Sequence, residues 1–131
     1  MSTRPASAGS LKVGSYVVIN DHPCKIVELE KSKTGKHGSA KVRIVGISLL
    51  DGSKRTLTAP ADALVHVPIV EKKPAQILSI SEDSVQLMDM RNYEVYEISL
   101  PEDESLRSKL EPGKEVEVWE VMGHRFIVRT L

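Results

Sequence analysis

The sequence is poor in the residues that stabilise small proteins through covalent bonds or large aromatic cores. It contains one cysteine, Cys24, so no disulfide can form within the chain and a reducing compartment is its natural environment. Aromatic residues make up only 4% of the 131 positions. No apolar run approaches the roughly 20 residues that a helix needs to cross a bilayer. These absences predict a cytoplasmic protein without membrane contact.

The residues needed for a metal site or a hydrolytic enzyme are also scarce. His22 and Cys24 are close in sequence, but His37, His66 and His124 are scattered and there is no second cysteine. No nucleophile, base and orienting acid can be assembled convincingly from the sequence. We therefore expect no metal, no bound cofactor and no enzymatic activity.

The charge is unevenly distributed, although the formal net charge is zero. Residues 1–69 contain ten Lys+Arg against five Asp+Glu, a net +5, and residues 70–131 contain eight against thirteen, a net −5. This asymmetry favours two domains, of which the first is suited to a polyanion. Residues 1–10 are small and polar without the apolar core of a signal peptide, so we expect a flexible tail before domains at 11–69 and 70–131.

Short strands account for most of both halves. In the first half they are expected at Tyr16–Ile19, Cys24–Lys31, Ala40–Leu50, Lys54–Thr58 and Leu64–Val67, with turns such as Asp51-Gly52 between them. In the second half they are expected at Ala75–Ile80, Val85–Met90, Tyr93–Leu100, Glu115–Met122 and Arg125–Thr130. A helix is expected between Pro101 and Leu110, after the third of these five strands. That layout predicts an OB-fold barrel, and the first half predicts another small barrel.

The most informative stretch is Ser32–Lys41, which lies between two of the predicted strands. Gly35 and Gly38 bracket a Lys36-His37 pair and can turn the chain tightly, so a β-hairpin is expected with Lys36 at its tip. A phosphate-binding P-loop is excluded because His37, rather than Ser or Thr, follows Gly35-Lys36. Most lysines in such loops are simply solvated. At the tip of a hairpin, however, Lys36 would lie away from the core and be available to a partner outside the protein.

The hairpin is also the most basic part of the chain. Its cations are Lys25, Lys31, Lys33, Lys36, Lys41 and Arg43. We predict that Lys33, Lys41 and Arg43 contact RNA phosphates, which would give a salt-dependent and largely sequence-independent affinity. The acidic second domain, whose few aromatic side chains could all belong to its core, is a poorer candidate for binding single strands on its own.

The run from Lys33 to Lys41 resembles the hypusine loop of the translation initiation factor 5A family in its archaeal form. The likeness continues through Lys54-Arg55-Thr56-Leu57, Val67-Pro68-Ile69 and Val85–Asp89, and it covers essentially everything after residue 10. It implies that the first domain is an SH3-like barrel and the second an OB fold, in a mainly β chain with one short helix.

The resemblance also implies a function. Lys36 would receive an aminobutyl group from spermidine, added by deoxyhypusine synthase, with Thr34, Gly35, His37, Gly38 and Lys41 shaping recognition of the loop. The modified lysine would lie next to the P-site tRNA on the ribosome, promote peptide-bond formation and relieve stalling, for example at proline runs. The protein is expected to act as a monomer.

Three alternatives remain open on the sequence. A non-ribosomal RNA-binding or RNA-chaperone protein could use the same two barrels, and Lys36 would then matter no more than its neighbours. A factor similar to bacterial elongation factor P could act with an unmodified or differently modified tip. An enzyme with an unrecognised site is the most distant of the three.

Overall fold

The computed structural model describes residues 3–33 and 40–131, with the backbone but not the side chain of Lys33. Its strands are β1 Thr3–Ser7, β2 Tyr16–Ile19, β3 His22–Lys33, β4 Ala40–Ser48, β5 Lys54–Pro60, β6 Leu64–Pro68, β7 Val70–Ile80, β8 Ser84–Asp89, β9 Val95–Ser99, β10 Glu115–Val121 and β11 His124–Thr130. One α-helix, α1, covers Glu104–Arg107, and a 3-10 turn covers Ala8–Ser10. The prediction of a mainly β chain is confirmed. No helix in the described ranges is long and apolar enough to span a membrane.

The chain divides into two compact units, Met1–Ile69 and Val70–Leu131. In the first unit, β2, β3, β4 and β5 form a four-stranded antiparallel sheet, and β1 pairs with β6 in a separate ribbon. Alternation along the strands directs one face inward: Val42 and Ile44 are fully buried, while Lys41 and Arg43 are exposed. The core combines these residues with Val17, Ile19, Cys24 and Ile26.

The expected flexible tail over residues 1–10 is wrong for the part that the structure describes. Thr3–Ser7 pairs in antiparallel register with Leu64–Pro68, and the amides of Ala8 and Gly9 donate to the carbonyls of Ala63 and Ala61. Ala8 is completely buried. The segment is ordered because β6 supplies its hydrogen bonds and because Ala8 completes the core, neither of which its composition reveals.

The second unit has the strand order β11-β10-β7-β8-β9, with α1 between β9 and β10, as predicted for an OB fold. Ile77, Val85, Leu87, Val116 and Val118 form its core with Leu110. The helix is shorter than expected and occupies a single turn. Asp103 caps it by accepting hydrogen bonds from the amides of Ser105 and Leu106, at 2.9 and 3.4 Å.

A network of ion pairs links three strands of this unit. Glu120 Oε2 accepts hydrogen bonds from Lys73 Nζ at 2.9 Å and from Arg125 Nε at 3.3 Å, and Arg125 also lies over the Tyr96 ring at 4.5 Å. The hydrogen bond from Lys73 is the main cause that lowers the pKa of Glu120, and the same bond raises the pKa of Lys73. Glu120 therefore stabilises the fold above its unfolded-state pKa, and this contribution is lost as the pH falls through the folded-state value.

We predict that Glu120→Gln lowers the free energy of unfolding at pH 7, because it removes the charged partner of Lys73. The loss should be only about 1 kcal/mol, since the side chains of Lys73 and Glu120 are both partly exposed to water. Because the pKa of Glu120 is lowered from its usual 4.5, the difference from the wild type should shrink as the pH falls below 4.5 and through the folded-state pKa. Trp119, the only tryptophan, lies in β10 beside Glu120 and provides the fluorescence signal for urea unfolding. Glu97→Gln, at an exposed position of β9, is the matched control. If the difference in unfolding free energy between Glu120→Gln and the wild type stayed constant with pH, the stabilisation could not come from the charged form of Glu120.

Candidate nucleic-acid interface

The hairpin of β3 and β4 is the longest antiparallel pair in the first unit. Its register runs from Cys24 opposite Ser48 to Lys33 opposite Ala40, with one irregularity between Ile26 and Glu28. The two strand ends that the segment 34–39 connects are therefore held directly opposite each other. Thr34, Gly35, Lys36, His37 and Gly38, which the sequence predicts as the modified lysine and its recognition residues, lie outside the described residues.

The structure separates the basic residues of this hairpin onto its two faces. Lys41 and Arg43 are exposed on the outer face, where Arg43 lies opposite both Glu30 of β3 and Thr58 of β5. Lys31 lies opposite the buried Val42 and thus on the other face. Lys31 therefore does not share a surface with Lys41 and Arg43. Lys41 and Arg43 remain available to a polyanion on the outer face.

Lys31 has a structural partner. Its Nζ donates a hydrogen bond to the carbonyl of Gly9 at 2.8 Å. This bond joins the hairpin stem to the 3-10 turn that follows β1. A cation used in this way fixes the stem relative to the N-terminal ribbon, so we assign Lys31 a positioning role rather than a phosphate contact.

A polar cluster surrounds the turns at the other end of the same sheet. Ser48, which is buried, places its Oγ 2.9 Å from His22 Nδ1, and Asp51 Oδ2 lies 4.0 Å from that same nitrogen. Because serine and aspartate approach one ring nitrogen, the imidazole cannot pass a proton from one to the other as a catalytic triad requires. Hydrogen bonds from Ser53 lower the pKa of Asp51 to about 2, so this carboxylate organises the turn that precedes Arg55.

Cys24 belongs to the core of the first unit. Cys24 is completely buried, and burial raises the pKa of its thiol, as for an inert core residue. Within residues 3–33 and 40–131, no group of three or more His, Cys, Asp or Glu side chains could hold a metal ion.

Two cations that the sequence did not single out come together in the first unit. Arg4 and Lys12 line one concave site beside β1. They could not be associated from the sequence because residues 1–10 were expected to be a flexible tail. The pairing of β1 with β6 is what places Arg4 on this side of the unit.

Comparisons with known proteins match both units. Residues 1–63 match the family model described as "Translation initiation factor 5A-like, N-terminal". Residues 69–130 match the model described as "Eukaryotic elongation factor 5A hypusine, DNA-binding OB fold". Together the two models cover nearly the whole chain in the order of the two structural units.

Full-length relatives agree with the family models. The chain is 62% identical to translation initiation factor 5A of Caldivirga maquilingensis over 132 residues, covering 99% of each protein. Among solved structures, it superposes with a TM-score of 0.89 on a factor 5A from Methanococcus jannaschii, at 44% identity, covering 99% of this chain and 96% of that one. It superposes with a TM-score of 0.87 on a factor 5A family protein from Naegleria fowleri, at 37% identity, covering 99% of each. Both the sequence and the fold therefore show that this chain belongs to the translation initiation factor 5A family.

Proposed function

We propose that this protein binds the ribosome and promotes peptide-bond formation through a spermidine-modified Lys36 next to the P-site tRNA. The observation that carries the proposal is the β3–β4 stem. It holds Lys33 opposite Ala40 and thereby brings together the two ends of the segment that contains Lys36. Family membership and the glycine-bracketed Lys36-His37 pair support the same function.

The modification provides a side chain suited to this task. An aminobutyl group on Lys36 Nζ lengthens the side chain and gives it two basic nitrogens, which can follow a narrow channel lined by RNA phosphates. Because an ammonium group is not nucleophilic, deoxyhypusine synthase has to use the neutral amine of Lys36. Thr34, Gly35, His37, Gly38 and Lys41 are the residues that we propose this enzyme recognises.

The proposed effect on peptide-bond formation is one of positioning. Holding the acceptor end of the P-site tRNA lowers the entropic part of the activation barrier, while the ribosome carries out the chemistry. Slow peptide bonds, such as those in proline runs, would benefit most. The exposed Lys41 and Arg43 on the outer face of the stem, together with Lys33, would contact RNA phosphates and orient the hairpin. In this function the protein is a monomeric cytoplasmic factor and not itself an enzyme.

The test is mass spectrometry of the Lys36 peptide from protein purified from its native host. We expect a spermidine-derived addition on Lys36 and on no other lysine, and the measured mass distinguishes deoxyhypusine from hypusine. An unmodified Lys36 in protein that co-sediments with ribosomes would favour a mechanism similar to that of elongation factor P. An unmodified Lys36 in protein that binds RNA but not ribosomes would favour the non-ribosomal RNA-binding function.

A further inference from the structure

A concave site of about 180 Å³ lies beside β1 in the first unit. We call it the β1 niche. The residues used here are Arg4, Ala6, Ser10, Leu11, Lys12 and Val67, all of which line it. Ligand pockets for drug-sized molecules measure about 300–1,000 Å³, so the niche is too small for a complete cofactor and suits one small group.

The rim of the niche carries unused positive charge. Arg4 and Lys12 are both exposed, and among the described residues neither side chain forms an ion pair or a hydrogen bond. Most other arginines of the chain, including Arg55 and Arg125, do have an acidic or polar partner. Two unpaired cations at one concavity attract an anion, and an arginine is well suited to phosphate.

The floor of the niche is apolar. Leu11 and Val67 belong to the core of the unit and are 7% and 8% exposed, so each presents only a small surface to the niche. Ala6 packs against the same core. Arg4 lies opposite Val67 in the β1–β6 register, and therefore the cation is placed beside this apolar surface. A ligand that fits must combine an anionic group with a flat or weakly polar one.

Hydrogen bonds of serine hydroxyls and of the backbone hold the niche in place. The Ser10 hydroxyl donates to the Ser7 carbonyl, and the Ser15 hydroxyl donates to the Lys12 carbonyl while accepting from the Lys12 amide. The amide of Gly14 donates to the Ile26 carbonyl. The loop that presents Lys12 is therefore organised without a ligand, which lowers the entropic cost of binding.

We infer that the β1 niche binds one nucleotide of a single-stranded RNA. The phosphate would lie between Arg4 and Lys12, and the base or ribose would pack on Ala6, Leu11 and Val67. Backbone phosphate contacts of this kind are independent of sequence, and the small floor provides room for a single base. The inference rests on the proposed function in that RNA is the partner. It adds a second RNA contact to that of the hairpin. The Lys31–Gly9 hydrogen bond links the 3-10 turn Ala8–Ser10, which contributes Ser10 to the niche, to the hairpin stem.

The experiment is a titration of the ¹⁵N-labelled full chain with octauridylate, and separately with AMP, followed by NMR. We expect octauridylate to shift the amide resonances of Arg4, Ser10–Ser15 and Val67, and AMP to bind at least tenfold more weakly. Arg4→Gln/Lys12→Gln should weaken octauridylate binding at least fivefold and reduce the slope of log K against log salt by about 0.7, for the one phosphate of a single strand that lies between these two cations. Lys109→Gln, at an exposed position of the second unit, is the matched control.

A second variant tests the floor without changing charge. Ala6→Leu should fill the niche and weaken binding at least threefold while the melting temperature confirms folding. Shifts confined to the hairpin, with the Arg4→Gln/Lys12→Gln variant binding like wild type, would overturn the niche and leave the proposed function intact. Absence of any octauridylate binding would also overturn the niche as an RNA site. The proposed function would not be affected, because modification of Lys36 is tested independently. Equal binding of AMP would overturn the assignment to RNA.

Discussion

Cells whose only copy carries Lys36→Arg are expected to translate polyproline reporters no better than cells depleted of the protein. Arginine keeps the positive charge and nearly the length of lysine, but its guanidinium stays protonated and cannot accept the aminobutyl group. We expect reporter output to fall about tenfold, which corresponds to about 1.4 kcal/mol in the barrier of the limiting step. A reporter without proline runs should change far less, because positioning matters most where peptide-bond formation is slow.

The matched control for this experiment is Lys54→Arg. Lys54 is an exposed lysine of β5 in the same unit, and it has no proposed role in recognition or RNA contact. Its replacement by arginine should leave the polyproline reporter within twofold of wild type. Normal output from Lys36→Arg would refute the modified-lysine mechanism. Equal loss from both variants would show that replacing an exposed lysine of this unit by arginine is itself damaging, whether or not the lysine is modified.

Gly46→Ala is expected to destabilise the first unit by about 3 kcal/mol. Gly46 lies in β4, opposite Ile26 of β3 and Arg55 of β5. A Cβ added there would lie 2.8 Å from the Cβ of Cys24 and 3.3 Å from the carbonyl oxygen of Lys25. Neither group is the movable end of a long side chain, so the strands themselves would have to shift. At roughly 4–8 °C per kcal/mol for a domain of this size, the melting temperature should fall by about 12–24 °C.

Calorimetry of Gly46→Ala, Cys24→Gly and the double variant tests this explanation. Cys24→Gly removes the atom that the new methyl group would meet, so the double variant should be more stable than the sum of the two single effects predicts. Gly52→Ala is the control for a general cost of replacing glycine. Gly52 has a positive φ of 73° but open space around it, so it should lose only about 1 kcal/mol from backbone strain. Strict additivity of the Cys24 and Gly46 effects would rule out the steric contact as the cause.

The strands with alternating sequences could be predicted because their burial is decided locally. In β4, the apolar Val42 and Ile44 alternate with the charged Lys41 and Arg43. This alternation indicates an amphipathic strand in any fold. The turn before β3 is similarly local, since Asn20 and Asp21 both adopt positive φ in a two-residue connection. The third strand of the second unit begins at Val95 rather than Tyr93, because Tyr93 is in the left-handed region with φ of 61° and belongs to the turn.

The features that sequence reasoning missed depend on partners far away in the chain. Thr3–Ser7 contains a proline and no alternation, and it becomes a strand only because β6 offers it an edge. The separation of Lys31 from Lys41 and Arg43 depends on the register of β3 against β4, which an irregularity between Ile26 and Glu28 shifts by one residue. Composition alone could therefore identify a basic hairpin but could not assign its cations to faces. The role of Lys36 was inferred from family resemblance and stays a prediction.

The pairing of β1 with β6 also has a consequence for how the chain is made. Its partners are separated by 57 residues at Ser7 and Leu64 and by 65 residues at Thr3 and Pro68. During synthesis the first strand emerges early but has no edge to join until nearly the whole first unit has left the exit tunnel. Contacts so distant in sequence form late and slowly. Nascent chains that stop before Leu64 should accordingly keep residues 3–9 open to proteases, and chains that extend well beyond Pro68 should not.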